Sequence, residues 1–310
     1  MSFDALRGTT RGGVLGWFDR VREGLRDAMT ASPSRFAVAV FLTLIFVFTG
    51  LFSLPAASAD GKVTPFADAL FTAVSTICVT GLATVDMATH WSAFGHVLVY
   101  VGVNVGAMGV LTLASILGLI ISKRLGLRAK LLAAGDSNPM RAHGGPVNEG
   151  QTVRLGEVGQ LLLTVALSTL VIEAALAIAL YPSLIWAGVD PVTALWEAPY
   201  YAAMAFTNTG FAPSADGLVP FADDYFLLFC LMVGVFLGSI GFPVIFTLWK
   251  HQWHVRKWSL HAKLTVITTV VLFVLGGLVF LILEFNNPKT LGHQGAFETI
   301  FQTFFLSAMT

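Results

Sequence analysis

Two stretches decide how this chain reads. The first is Phe71-Thr72-Ala73-Val74-Ser75-Thr76-Ile77-Cys78-Val79-Thr80-Gly81-Leu82. The second is Tyr200-Tyr201-Ala202-Ala203-Met204-Ala205-Phe206-Thr207-Asn208-Thr209-Gly210-Phe211. Each is a short apolar run that ends in Thr-Gly and a large apolar residue. Thirteen residues before each glycine lies a carboxylate, Asp68 or Glu197. The apolar segments that follow also match. Gly102, Gly106 and Gly109 recur as Gly234, Gly238 and Gly241 at a constant offset of 132. Matches of this kind mark an internal repeat. A third copy starts near Ala262, carries Glu298 at a similar register, and runs to Thr310.

Working outward, the short runs sit between long ones. Long apolar stretches cover Phe36–Leu54, Phe94–Ile121, Leu161–Leu180, Tyr225–Leu248 and Leu264–Leu283. Each reads as one helix long enough to cross a hydrocarbon layer of about 30 Å. Pro65–Cys78, Pro191–Phe206 and Gly295–Thr310 are shorter and read as re-entrant half-helices. The composition agrees: 55% of the 310 residues are hydrophobic and 12% charged, about half the charge of a soluble domain. That excludes an ordinary soluble enzyme and a nucleic-acid binder. Cys78 and Cys230 are far apart in apolar sequence, which supports neither a disulfide framework nor a metal cluster.

The 18 cationic and 18 acidic side chains cancel in sum but not in place. Sixteen of the 18 Lys and Arg fall in residues 1–35, in the linker after Ile121, or in the loop around 250–263. If the short segments turn back rather than cross, all three basic regions share the cytoplasmic side, as the positive-inside rule expects. The opposite side then holds Asp60, Asp68, Asp86, Asp190, Glu197, Asp216, Asp223, Asp224, Glu284 and Glu298. Such a face concentrates cations, although external loops also need polar residues of some kind.

A re-entrant half-helix points its negative end at mid-membrane. The extended backbone after it needs partners for its carbonyls, and a dehydrating cation supplies them. Gly81 and Gly210 permit the turn this needs. Asp68 and Glu197 also suit the first turn of a helix, where the macrodipole favours a carboxylate, and that reading is preferred to ion binding. The six repeated glycines read as helix-packing positions. Asn104 and Glu173 lie inside expected spans; Glu173 is a candidate site residue or a group satisfied by a neighbouring helix. No catalytic constellation emerges, and the seven histidines form no ligand motif.

With these residues in view, a family resemblance becomes clear. Cys78-Val79-Thr80-Gly81-Leu82 and Asn208-Thr209-Gly210-Phe211 resemble the first two filters of the Trk/Ktr/HKT potassium transporters. Val105-Gly106-Ala107-Met108-Gly109 and Leu237-Gly238-Ser239-Ile240-Gly241-Phe242-Pro243 resemble the glycine-rich second helices of the Ktr-type membrane subunits. The resemblance implies an all-α membrane protein of helix–re-entrant pore loop–helix units around a pseudo-fourfold axis. Four units are the family's pattern; here there are two and part of a third, so the chain reads as the N-terminal portion of such a subunit.

The expected divisions follow. Residues 1–35 form a cytoplasmic amphipathic arm and 36–122 the first unit. A cytoplasmic linker occupies 123–156, the second unit 157–249, a cytoplasmic loop 250–261 and the partial third unit 262–310. The resemblance further implies potassium held by backbone carbonyls of Cys78, Val79, Thr80, Gly81, Thr207, Asn208, Thr209 and Gly210. It implies no covalently bound cofactor, sodium as an activating ion, a homodimer in the lipid bilayer of the cytoplasmic membrane with its N-terminus inside, and a cytoplasmic nucleotide-binding ring as regulatory partner. A non-transporting membrane scaffold or assembly subunit is the alternative.

Overall fold

The computed structural model describes residues 33–109, 155–251, 260–285 and 295–310, together with 254, 255, 258, 287, 290 and 291. The N-terminal arm, most of the 123–156 linker and the second half of the Phe94–Ile121 stretch lie outside the described residues.

The described elements are helical. They are α1 (Pro33–Phe52), α2 (Phe66–Ile77), α3 (Ala93–Gly109), α4 (Leu155–Trp186), α5 (Pro191–Phe206), α6 (Tyr225–Ile240), α7 (Phe242–His251), α8 (Leu260–Glu284) and α9 (Ala296–Met309). By length and apolar composition, α4 and α8 can cross a membrane. The order is long helix, short helix, long helix in the first unit, long helix, short helix and a pair of helices in the second, and long helix, short helix in the third. This is the repeated arrangement the sequence pattern implies.

Local chemistry sets the helix starts. Pro33 occupies the first position of α1 and Pro191 that of α5, where a missing N–H costs nothing. Asp190 caps α5 by accepting from Val192 N at 3.0 Å and Thr193 N at 3.3 Å. Asp224 caps α6 through Leu227 N at 2.9 Å. Asp68 lies in the first turn of α2, as expected. Glu298 lies in the first turn of α9 and accepts from Gly295 N at 2.9 Å.

Glu197 departs from the first-turn expectation. It is the seventh residue of a 16-residue helix whose start is capped by Asp190. The second pore helix extends further back than the 12-residue first one, so the same distance from the filter falls mid-helix.

The Tyr225–Leu248 stretch also departs from expectation: it is two helices, not one. Gly241 takes φ +76° and ψ 155°, separating α6 from α7. The Gly-Phe-Pro sequence explains the break. Pro243 has no N–H to donate back into α6, and a proline disfavours helical backbone at the residue before it. Glycine supplies the left-handed corner. Gly241 thus lies at the break between α6 and α7 rather than within a packed helix, and its carbonyl starts α7 by accepting from Val244 N and Ile245 N.

Packing interlocks the units. The first core joins Phe48, Phe52, Ile77, Trp91 and Val103 with Tyr200, Met204 and Phe211 from the second unit. The second joins Leu180, Leu184, Phe206 and Leu227 with Phe305 from α9. Each unit's core thus admits the pore helix of the next. Ser92 N donates to Ala57 O and Ala59 N to His90 O, tying the loop after α1 to the segment that leads into α3. Long rows of apolar side chains stay exposed, including Ile267, Leu272, Leu275 and Ile282 on α8. An exposed apolar helix face of this length suits lipid rather than water.

Candidate functional site

The site is built from the C-terminal ends of α2 and α5. Each ends in the same hydrogen-bonded turn. Val79 N donates to Thr76 O at 3.3 Å and Thr80 N to Ser75 O at 2.7 Å. In the second unit Asn208 N donates to Ala205 O at 3.1 Å and Thr209 N to Met204 O at 3.0 Å. Both are Schellman caps, in which the residue past the helix end must be left-handed. Val79 (φ 56°) and Asn208 (φ 59°) hold that position. Two residues on, Gly81 (φ 77°) and Gly210 (φ 80°) are left-handed again. The alternation repeats residue for residue at an offset of 129.

This backbone leaves acceptors free. Among the described residues, no carbonyl of Cys78, Val79, Thr80, Gly81, Thr207, Asn208, Thr209 or Gly210 accepts a hydrogen bond. The two segments also meet. A Cβ on Gly81 would overlap the Thr209 carbonyl oxygen. Thr80, Asn208, Thr209 and Gly210 line a cavity of about 600 Å³, and Ala308, Met309 and Thr310 at the end of α9 line it too. Three pore helices therefore present their C-terminal, electronegative ends to one space. Thr207 Oγ1 lies 2.7 Å from Thr209 Oγ1 and donates to Ala203 O or to its neighbour, so these hydroxyls brace the second loop.

The packing glycines explain how the loops are held. A Cβ on Gly106 would overlap the carbonyl of Ile77, the last residue of α2. A Cβ on Gly238 would overlap the carbonyl of Phe206, the last residue of α5. One turn earlier, a Cβ on Gly102 would lie 2.6 Å from Thr76 Cγ2 and one on Gly234 would lie 3.1 Å from Ala205 Cβ. A Cβ on Gly109 would lie 3.0 Å from the Phe41 ring of α1. These residues bring the second helix of each unit onto the foot of its own pore helix, just before the candidate filter.

Sequence reasoning passed over Ser239. Its Oγ lies 2.7 Å from Val235 O and 3.3 Å from Asn208 Oδ1, so its single hydroxyl hydrogen has one acceptor in α6 and a longer one at the left-handed residue of the second loop. The signal was present in Gly238-Ser239-Ile240-Gly241, where only the glycines drew attention. It also passed over the aromatic row at the seam of the units, where Trp196 lies 5.9 Å from both Tyr100 and Tyr200. Asn104 and Glu173 do come together at that seam, away from the filter loops.

Comparison with known proteins agrees with this geometry. Residues 21–291 match the TrkH family, described as "Cation transport protein". The chain is 30% identical to Ktr system potassium uptake protein B of Bacillus subtilis over 88% of its own length and 57% of that protein. It is 31% identical to the protein of the same name in Vibrio alginolyticus, over 93% of its own length and 60% of that protein. Potassium/sodium uptake protein NtpJ of Enterococcus hirae is 29% identical over 89% of this chain and 58% of that protein. The chain thus spans less than two thirds of the length of these relatives. A repeated helix–pore helix–helix frame, two matched glycine loops and a family match over most of its length place this chain in the TrkH family of cation transport proteins, a transport family and not an enzyme family.

Proposed function

We propose that this chain supplies the first two filter segments, and part of a third, of a membrane pore for potassium uptake. The observation that carries the reading is the matched pair of left-handed loops. Their eight carbonyls accept no hydrogen bond among the described residues, and residues of both loops line one cavity. Backbone carbonyls in such an arrangement replace the hydration shell of a monovalent cation. The ligands would come from Cys78, Val79, Thr80 and Gly81 in one loop and Thr207, Asn208, Thr209 and Gly210 in the other. The names of the relatives favour potassium over other cations, with sodium as a second ion.

The rest of the proposal rests on family likeness. The chain would sit in the cytoplasmic membrane with its N-terminus inside, as a homodimer. A cytoplasmic nucleotide-binding ring would regulate it; the names "Ktr system … protein B" and "protein D" speak of multi-component systems for those relatives.

Rubidium influx tests the reading. The natural gene product should restore growth at low potassium to cells that lack potassium uptake, and should carry rubidium. A membrane-inserted protein that gives neither rescue nor influx would leave a scaffold role as the better account.

A further inference from the structure

Glu173 lies midway along α4, packed against α3 of the first unit. It is 3% exposed, and among the described residues neither of its carboxylate oxygens has a hydrogen-bond partner. Asn104 of α3 is 6% exposed; its Nδ2 donates to Tyr100 O at 3.1 Å, while its Oδ1 has no partner. The Asn104 amide is near enough to interact with Glu173, but no hydrogen bond of good geometry joins them. Among the described residues the one ion pair is Lys62–Asp60, on the surface, and none involves Glu173. The titratable groups beside it are Tyr100 on α3 and Tyr181 on α4; the α5 residues facing the same space, Leu195, Ala198 and Pro199, carry none.

An isolated carboxylate in such surroundings is far costlier than a neutral acid. The residues that line this space beside Glu173 are mainly apolar, with only the Tyr100 and Tyr181 side chains polar, which is a poor ligand set for an inorganic cation. A proton suffices. A neutral acid facing an amide can exchange two hydrogen bonds: O–H to Oδ1, and the second Nδ2 hydrogen to the acid carbonyl. A carboxylate can use only the second. The same proton gives Asn104 Oδ1 the donor it lacks.

We propose that Glu173 is a proton-binding site: a neutral acid paired with the Asn104 amide, bridging the first and second units and open to apolar carboxyl reagents. The openness comes from the cavity beside it. Glu173 lines a space of about 500 Å³ whose rim carries the exposed side chains of Leu170, Ile178 and Leu195. Proton binding here acts on the filter through packing: Asn104 lies two residues before Gly106, which seats the end of α2.

Dicyclohexylcarbodiimide tests this without relying on transport. A protonated carboxyl adds across one C=N bond of the reagent, its proton going to nitrogen and its oxygen to the central carbon. Migration of the acyl group from oxygen to nitrogen then gives a stable N-acylurea. Nothing leaves, so the protein gains the whole reagent mass.

The natural full-length protein in lipid nanodiscs should gain one reagent on the peptide containing Glu173 at neutral and mildly alkaline pH. Glu173→Gln should reduce this to background, and a water-soluble carbodiimide should not modify the site. An infrared spectrum covers the case in which the reagent fails to enter. The wild type should show a protonated-acid C=O band that Glu173→Gln removes and Asn104→Leu shifts. Absence of that band at neutral pH overturns the proton site. A band that Asn104→Leu leaves in place overturns the pairing. Either result stands whether or not the protein carries rubidium.

Discussion

The Cα of Gly81 lies against the backbone carbonyl of Thr209, so closely that a single methyl group on Gly81 would occupy the oxygen's space. The partner is backbone, not a flexible side chain, and it belongs to the other candidate filter. Gly210, its counterpart in the repeat, has nothing within 4 Å of a built Cβ. The two glycines share a left-handed φ but not a neighbourhood.

Substitution should therefore be unequal. Alanine at either position costs about 1–2 kcal/mol for the left-handed backbone. Gly81→Ala must also displace Thr209. Rubidium influx in the full-length protein should fall about tenfold further for Gly81→Ala than for Gly210→Ala, a difference of ~1.4 kcal/mol. Equal losses would mean that the two loops do not meet as described.

The helix glycines make a second set. Gly106→Ala and Gly238→Ala push a methyl into the last carbonyl of a pore helix, an overpacking that costs about 1–3 kcal/mol. Gly50 in α1 has open space around it. Gly50→Ala should be neutral or stabilise by about 0.5–1 kcal/mol. Thermal unfolding in detergent should show the first two variants with a lowered Tm and the third unchanged or raised.

These contrasts mark where the sequence was legible. The repeat and the matched left-handed loops could be read from spacing, because the glycines and Thr-Gly pairs recur at fixed offsets. The unequal surroundings of Gly81 and Gly210 could not, because they depend on how two loops separated by more than a hundred residues approach each other. The break at Gly241 was legible in principle from Gly-Phe-Pro, but the unbroken apolar run masked it. Glu197 misled because the second pore helix is longer than the first, and a fixed distance from the filter hid a variable start.

Asp60 supports a prediction in acid. The Ser58 hydroxyl at 2.6 Å and the Lys62 N–H at 3.2 Å hold its carboxyl below the usual carboxylate range. A lowered carboxyl contributes stability above its unfolded value, and that contribution is lost as pH falls through the folded one. Ser58→Ala should lower Tm at neutral pH, converge on the wild type once Asp60 is protonated, and so shrink the dependence of Tm on pH within that acid window. Lys62→Ala should change little, since its ion pair at 3.5 Å is exposed. Parallel melts across the acid range would show whether the hydroxyl or the lysine dominates.

Val79 and Asn208 occupy the same corner of the repeat with different comfort. A β-branched side chain is poorly suited to φ 56°, whereas asparagine tolerates φ 59°. Val79→Asn should relieve about 1 kcal/mol of local strain and raise Tm. The cost falls on packing, because Val79 also touches the first core. Val79→Gly separates the two effects: it relieves the same backbone but removes the contact, so it should stabilise less than Val79→Asn. On the other side, Ser239→Ala removes the hydroxyl that lies between Val235 O and Asn208 Oδ1. That should loosen the second loop without filling or emptying the core. Its signature should be poorer rubidium-over-sodium discrimination with a Tm within about 1 kcal/mol equivalent of wild type. A Ser239→Ala protein with unaltered discrimination would show that the cap and its glycine alone set the second loop.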